Sequence, residues 1–224
     1  MTTLNRSSIT TIAIIRFEHL SLAWLERYLS NSWHDIQRGK PEKAYGVLSF
    51  TIEDESGSAL TAAVVSEWFV ELRSRKEDPM DIFSRLIESL LTEPTIVPVG
   101  LTIEMVAVLD AQTKERPDMV AILNKPFEDM LQPFSQATHS KVEAVGMRLF
   151  LQHNSDGNDG YYTFDISPAI DSPDRQLFLR LKSRRSSARG TSNEVTCERF
   201  KKLLTADRAF LDTLVINTSS LLAT

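Results

Sequence analysis

The sequence predicts an α+β fold: two tandem ferredoxin-like units, each ordered βαββα, with mainly antiparallel sheets and helices packed on one face. Three observations lead there. Residues 9–92 and 99–222 each read as strand, helix, strand, strand, helix. The third elements can be laid side by side, Gly46-Val47-Leu48-Ser49-Phe50-Thr51 against Gly146-Met147-Arg148-Leu149-Phe150-Leu151, and each runs into an acidic, glycine-containing turn. A basic run follows the last strand of each unit, Arg73-Ser74-Arg75-Lys76 in one and Lys182-Ser183-Arg184-Arg185 in the other. An offset of roughly 100 residues suggests an internal duplication of fused domains rather than a solenoid of short repeats. The expected domains are 1–95, a first βαββα unit, and 96–224, a second with an extra strand and a long C-terminal helix. Their bare sheet sides need cover, from each other or from a second copy, so a homodimer is expected.

Each element has its own signal. Ile9 to Phe17 is β-branched and nearly apolar on both faces, which marks a central strand. Ser21 can cap the following helix, whose Leu22, Leu25, Leu29, Trp33 and Ile36 form one apolar stripe before Gly39, Lys40 and Pro41 stop it. Tyr45 to Glu53 alternates as a strand, with Leu48, Phe50 and Ile52 on one face. Residues 60–72 fit both periods, with Leu60, Val64, Trp68 and Leu72 at helical spacing; the β-branched and aromatic content favours one strand. Asp78-Pro79 starts a helix, because Asp accepts from free amides and Pro at the first turn loses nothing. Beyond Pro94 and Pro98, Val99 to Leu109 alternates as a long strand. A helix between Asp118 and Gln132 must kink or split at Pro126. Strands are expected at Val142–Gln152, Tyr161–Ile166 and Leu177–Lys182, then a closing helix with a candidate break near Asp207.

Composition narrows the function. At 224 residues and 42% hydrophobic, the chain can bury a substantial core. A net charge of -5 argues against a protein that coats phosphates broadly, although a local basic patch can survive in an acidic whole. The single cysteine, Cys197, excludes an intramolecular disulfide and a thiolate metal cluster, and fits a reducing, cytoplasmic compartment. No run approaches the roughly 20 apolar residues of a membrane helix. With eight scattered glycines, neither a P-loop nor a dinucleotide fingerprint can be drawn, so no cofactor is expected.

Catalytic and metal patterns are thin. His19-Leu20-Ser21-Leu22 resembles the H-x-[ST]-apolar element of two-histidine phosphoesterases, which implies a histidine acid–base pair; His153-Asn154-Ser155-Asp156 departs from it with a charged fourth residue. His34-Asp35 is adjacent rather than spaced for one ion. Asp156-Gly157-Asn158-Asp159-Gly160 has the oxygen density of a calcium loop, but Ser167 stands where the twelfth-position Glu belongs, so a hairpin turn is expected. Two ferredoxin-like halves in a chain of this length are similar to CRISPR repeat-processing ribonucleases, yet the glycine-rich loop of that family has no counterpart before Leu221-Leu222-Ala223-Thr224.

The remaining chemistry lies in two basic loops. Arg73, Arg75 and Lys76, and Lys182, Arg184, Arg185 and Arg189, are expected at equivalent strand ends, with Ser186, Ser187 and Gly190 loosening the second loop. The reading is a non-enzymatic binding or assembly protein working through protein–protein contacts or self-association, with Trp24, Trp33, Trp68, Tyr161 and Tyr162 as anchor candidates. The alternative is a nucleic-acid-binding or RNA-processing protein that grips phosphate with the two basic loops.

Overall fold

A computed structural model describes residues 3–53, 61–94, 96–112, 118–125, 132–133, 136–137, 145–155, 158–186 and 196–221. In chain order the elements are β1 (Thr3–Phe17), α1 (Leu22–Ser32), β2 (Glu42–Ala44), β3 (Val47–Ile52), β4 (Thr61–Val65), β5 (Phe69–Ser74), α2 (Met80–Leu91), β6 (Pro98–Gln112), α3 (Met119–Asn124), β7 (Met147–Ser155), β8 (Asn158–Pro168), β9 (Gln176–Ser186) and α4 (Cys197–Leu221). All nine strands join one antiparallel sheet in the order β2-β3-β4-β5-β1-β6-β9-β8-β7.

This overturns the two ferredoxin-like units, and with them the expected internal duplication. Two physical causes stand out. First, β1 and β6 are both long and rich in strand-forming residues, and they pair from Thr3 opposite Gln112 to Phe17 opposite Pro98. Edge-to-edge pairing of that length satisfies one whole edge of each strand, so the segments before and after residue 95 share one sheet instead of packing two sheets face to face. Second, residues 61–74 are two strands rather than one and Glu42–Ala44 adds a short strand before β3, so the first segment reads βαββββα. The likeness to CRISPR ribonucleases rested on two ferredoxin-like halves and falls with them.

Local chemistry explains the turns. Tyr45 and Gly46 both have positive φ, +51° and +75°, and join β2 to β3 in the primed type of two-residue turn that matches strand twist. Between β4 and β5, the Ser66 amide donates to the Phe69 carbonyl at 2.8 Å, while Ser66 Oγ accepts from the amides of Trp68 and Phe69, each at 3.2 Å. At α2 the Asp78 carboxylate accepts from the Met80 amide at 2.9 Å. α4 runs unbroken through Asp207.

The core lies on one side of the sheet. Phe50, Val70, Leu72, Ala13, Ile15, Ile103, Met105, Leu179, Leu181 and Phe164 are buried on a single face by strand alternation and register. α1 meets it through Trp33, whose ring packs edge-on against Phe50 with centroids 5.2 Å apart. Trp33 Nε1 also donates to Ser89 Oγ of α2 at 2.6 Å, which lets the indole be fully buried. α4 meets the same face through Asp207, a buried carboxylate that accepts from the hydroxyl of Tyr162 at 2.8 Å and from that of Ser183. Both hydroxyls are core-facing positions of β8 and β9, so the acid fixes the helix over these two strands. Arg6 and Arg208, each paired with both Glu77 and Asp212, tie β1 and the start of α2 to α4.

Candidate functional site

The alternate strand residues form the other face of the sheet, and there the two ends differ in chemistry. Cross-strand partners in an antiparallel sheet share a face, so the register reads as rows. One row runs Arg73, Ile12, Glu104, Lys182, Thr163, Phe150 through β5, β1, β6, β9, β8 and β7. The next runs Glu71, Ile14, Thr102, Arg184, Tyr161, Gln152. A third carries Val106, Arg180, Asp165 and Arg148. Three consecutive outward positions of β9 are therefore cations.

Their partners decide what charge is left over. Glu104, largely buried, holds Arg180 with Nε 2.9 Å from Oε1 and Nη2 donating to Oε2 at 3.0 Å, and Lys182 Nζ lies 3.3 Å from Oε2. One carboxylate thus faces two cations. Arg148 is matched by Asp165, with Nε donating at 2.5 Å, and that hydrogen bond holds its pKa above the ordinary arginine value. Arg73 pairs with Glu71 at 2.8 Å. Arg184 is exposed and has no carboxylate partner among the described residues; Asp159 takes the next outward register position on β8, with its side chain outside them. Beside Arg184, Tyr161 is 62% exposed, and diagonally from Tyr161 sits Phe150, 78% exposed. Two large exposed aromatics thus lie next to excess positive charge on this outward face.

The positions expected from sequence divide. Arg73 and Lys182 fall in the same row, three strand spacings or about 14 Å apart. The second basic run is not a loop: Lys182, Arg184 and Arg185 lie inside β9, which continues to Ser186. Alternation separates them, because Arg185 stands opposite Leu101 of the core-facing set; its side chain, Ser187, Arg189 and Gly190 lie outside the described residues. Arg75 follows the end of β5. Lys76 lines a separate cleft with Asp35, Glu53, Asp78 and Asp81, away from the cationic rows. Sequence reasoning missed Arg180, Arg148 and Arg16, the last exposed and opposite Phe69 and Gly100. Strict alternation around Lys182 would have found Arg180.

Other candidates do not assemble. Trp33 and Tyr162 are core residues, Trp24 stacks on Tyr28 at 4.9 Å, and Trp68 lies against His19 at 5.1 Å. His19 follows β1, whereas His153 is on β7, with β6, β9 and β8 between the two strands. His34 is exposed and paired with Asp35 at 2.5 Å. Asp156 and Gly157 of the acidic turn lie outside the described residues, among which no group of three metal-ligating side chains occurs. A cleft of about 380 Å³ between Thr11, Met80, Met105 and Leu204 is rimmed by Glu77, Arg208 and Asp212, whose charges satisfy one another. Among the described residues no helix is long and apolar enough to cross a membrane. No protein-family model matches the chain, and no curated protein is significantly similar to it.

Proposed function

We propose that this protein is a binding protein that receives an anionic partner on the outward face of strands β9, β8 and β7. The observation that carries this reading is Arg184, exposed without a described carboxylate partner beside exposed Tyr161, with exposed Phe150 diagonal to that ring. A guanidinium there keeps its donors free for an oxyanion, and its planar fork suits carboxylate or phosphate. Lys182 adds a second cation only half-matched by Glu104. In a chain of net charge -5 such a patch is local, so it selects one face rather than making the whole surface sticky. A cytoplasmic location fits the lone free Cys197.

Retention on immobilised heparin at low salt tests the reading. Arg184→Glu is expected to abolish it, while Arg85→Glu, an exposed cation on α2, leaves it intact. Equal loss in both variants, or no retention of the parent protein, sinks the proposal.

Self-association is a second reading, supported by β7. This nine-residue strand ends the sheet, no described strand lies along its outer side, and Leu149 and Phe150 are exposed on its two faces. Long edges of this kind pair readily with a second chain. Light scattering is expected to give a dimer that Leu149→Lys converts to a monomer; a monomeric parent refutes it.

A further inference from the structure

Resting on the anion-binding reading, we propose that the partner on this face is single-stranded nucleic acid, with Tyr161 and Phe150 as stacking platforms for bases and Arg184, Lys182 and Arg16 as contacts to phosphate. The argument starts from geometry. Phe150 stands opposite Thr163, and Tyr161 is two residues before Thr163 on β8, so the two rings are diagonal neighbours on one face. Diagonal positions across an antiparallel pair are about 7–8 Å apart, within reach of each other's aromatic side chains. Arg184 is the direct cross-strand partner of Tyr161, and Lys182 of Thr163, so Tyr161 has a cation one strand inward and Phe150 has one two strands inward, across Thr163. Arg16 lies on β1 in the row beside Arg184, two strands further in, about 10 Å across the sheet.

A pleated surface that sets two adjacent rings beside a row of cations suits a chain whose bases are splayed out and whose phosphates run alongside. Duplex nucleic acid fits badly, because its bases are stacked within the helix and present no open ring face to Tyr161 or Phe150. An acidic peptide would use Arg184 and Lys182 but gives two exposed rings no matching planes. Gln152, in the row of Tyr161, adds an amide that can hydrogen-bond a base edge. Nothing in this arrangement reads a long sequence, so recognition rests on stacking and charge.

The experiment is fluorescence anisotropy of the full chain with labelled single-stranded oligouridylate, oligothymidylate and a duplex of matched length, alongside heparin. Binding to the single strands is expected to exceed that to the duplex at least tenfold. Tyr161→Ala and Phe150→Ala should each weaken single-strand binding by about tenfold, with Tyr161→Phe restoring it, and leave heparin binding unchanged. With two to three phosphates engaged, the slope of log affinity against log salt should be about -1.4 to -2. Both rings are exposed, so thermal melting of the variants should match the parent and exclude misfolding. Heparin binding that needs Arg184, combined with equal affinity for duplex and single strand or with no effect of the ring substitutions, overturns the nucleic-acid inference and leaves the anion-binding reading standing. Failure to bind heparin and every oligonucleotide removes both. Preference for oligouridylate over oligothymidylate would identify RNA as the source; equal binding would mean that the site reads only shared single-strand chemistry.

Discussion

The two wings of the sheet, β5-β4-β3-β2 on one side of the central β1–β6 pair and β9-β8-β7 on the other, share a backbone pattern and differ in what they turn outward. On β3 and β4 the outward residues are Val47, Ser49, Thr51, Ala62 and Val64, small and uncharged. On the opposite wing they are Phe178, Arg180, Lys182 and Arg184, then Tyr161, Thr163 and Asp165, then Arg148, Phe150 and Gln152. Inward, the wings differ at their ends: Leu48 and Ile52 on β3 are fully buried, as are Leu177 and Leu179 on β9, whereas Leu149 on the edge strand β7 stays 39% exposed. The first wing is thus buried inward and uncharged outward on β3 and β4, whereas the second turns cations and rings outward and ends in a strand exposed on both faces, within a single continuous sheet.

Core truncation should break the comparison most sharply. Trp33→Ala removes a fully buried ring and its hydrogen bond to Ser89 Oγ, and is expected to cost about 3–5 kcal/mol in urea unfolding, against under 1 kcal/mol for Leu149→Ala. Similar losses at both sites would erase the distinction. A smaller effect follows at the joint between the second wing and its helix. Asp207→Ala leaves the hydroxyls of Tyr162 and Ser183 without this acceptor, an expected loss of about 1–3 kcal/mol. Binding offers a test of charge alone: Glu104→Gln removes the carboxylate matched to Arg180 and Lys182, so heparin affinity should rise severalfold and its salt dependence steepen. Val64→Arg on the first wing should change affinity little, and a gain comparable to that of Glu104→Gln would show that position on the sheet does not matter. The smallest effect concerns Cys197, whose thiol is pushed above the ordinary value mainly by burial and contacts the Ser84 carbonyl at 3.7 Å. A raised pKa keeps the thiol protonated and weakly nucleophilic at neutral pH, so alkylation followed by mass spectrometry should be slow there and accelerate only as pH passes above the ordinary thiol range.

Much of the strand and helix content was legible, because alternation and apolar stripes are local signals. Of the helically spaced Phe83, Ile87 and Leu91, with Leu86 and Leu90 beside them, all but the partly buried Leu91 are buried on α2, and Leu48, Phe50 and Ile52 face the core together. Residues 60–72 show where legibility ends. Period-two alternation runs through the segment, yet the chain reverses at Ser66–Phe69, so Ala62 and Val64 face outward while Val70 and Leu72 face the core. That turn is closed by the Ser66 hydroxyl and backbone and needs no positive φ, so no glycine marks it. Topology was out of reach for a different reason. Pairing of β1 with β6 joins residues far apart in sequence, and nothing in either strand alone says whether its neighbour comes from the near segment or the distant one. The site inherits both outcomes: Lys182 and Arg184 were visible as charges, but their placement beside Tyr161 and near Phe150, with Arg73 three strands away, depends on the strand order.

Nitrogen-15 amide shifts of the full chain during titration with single-stranded oligouridylate test the central claim most directly. Perturbations are predicted for residues 148–152, 161–165 and 180–184, with residues 47–51 and 61–65 unmoved. Perturbations centred on β3 and β4, or confined to the helices, would contradict the account.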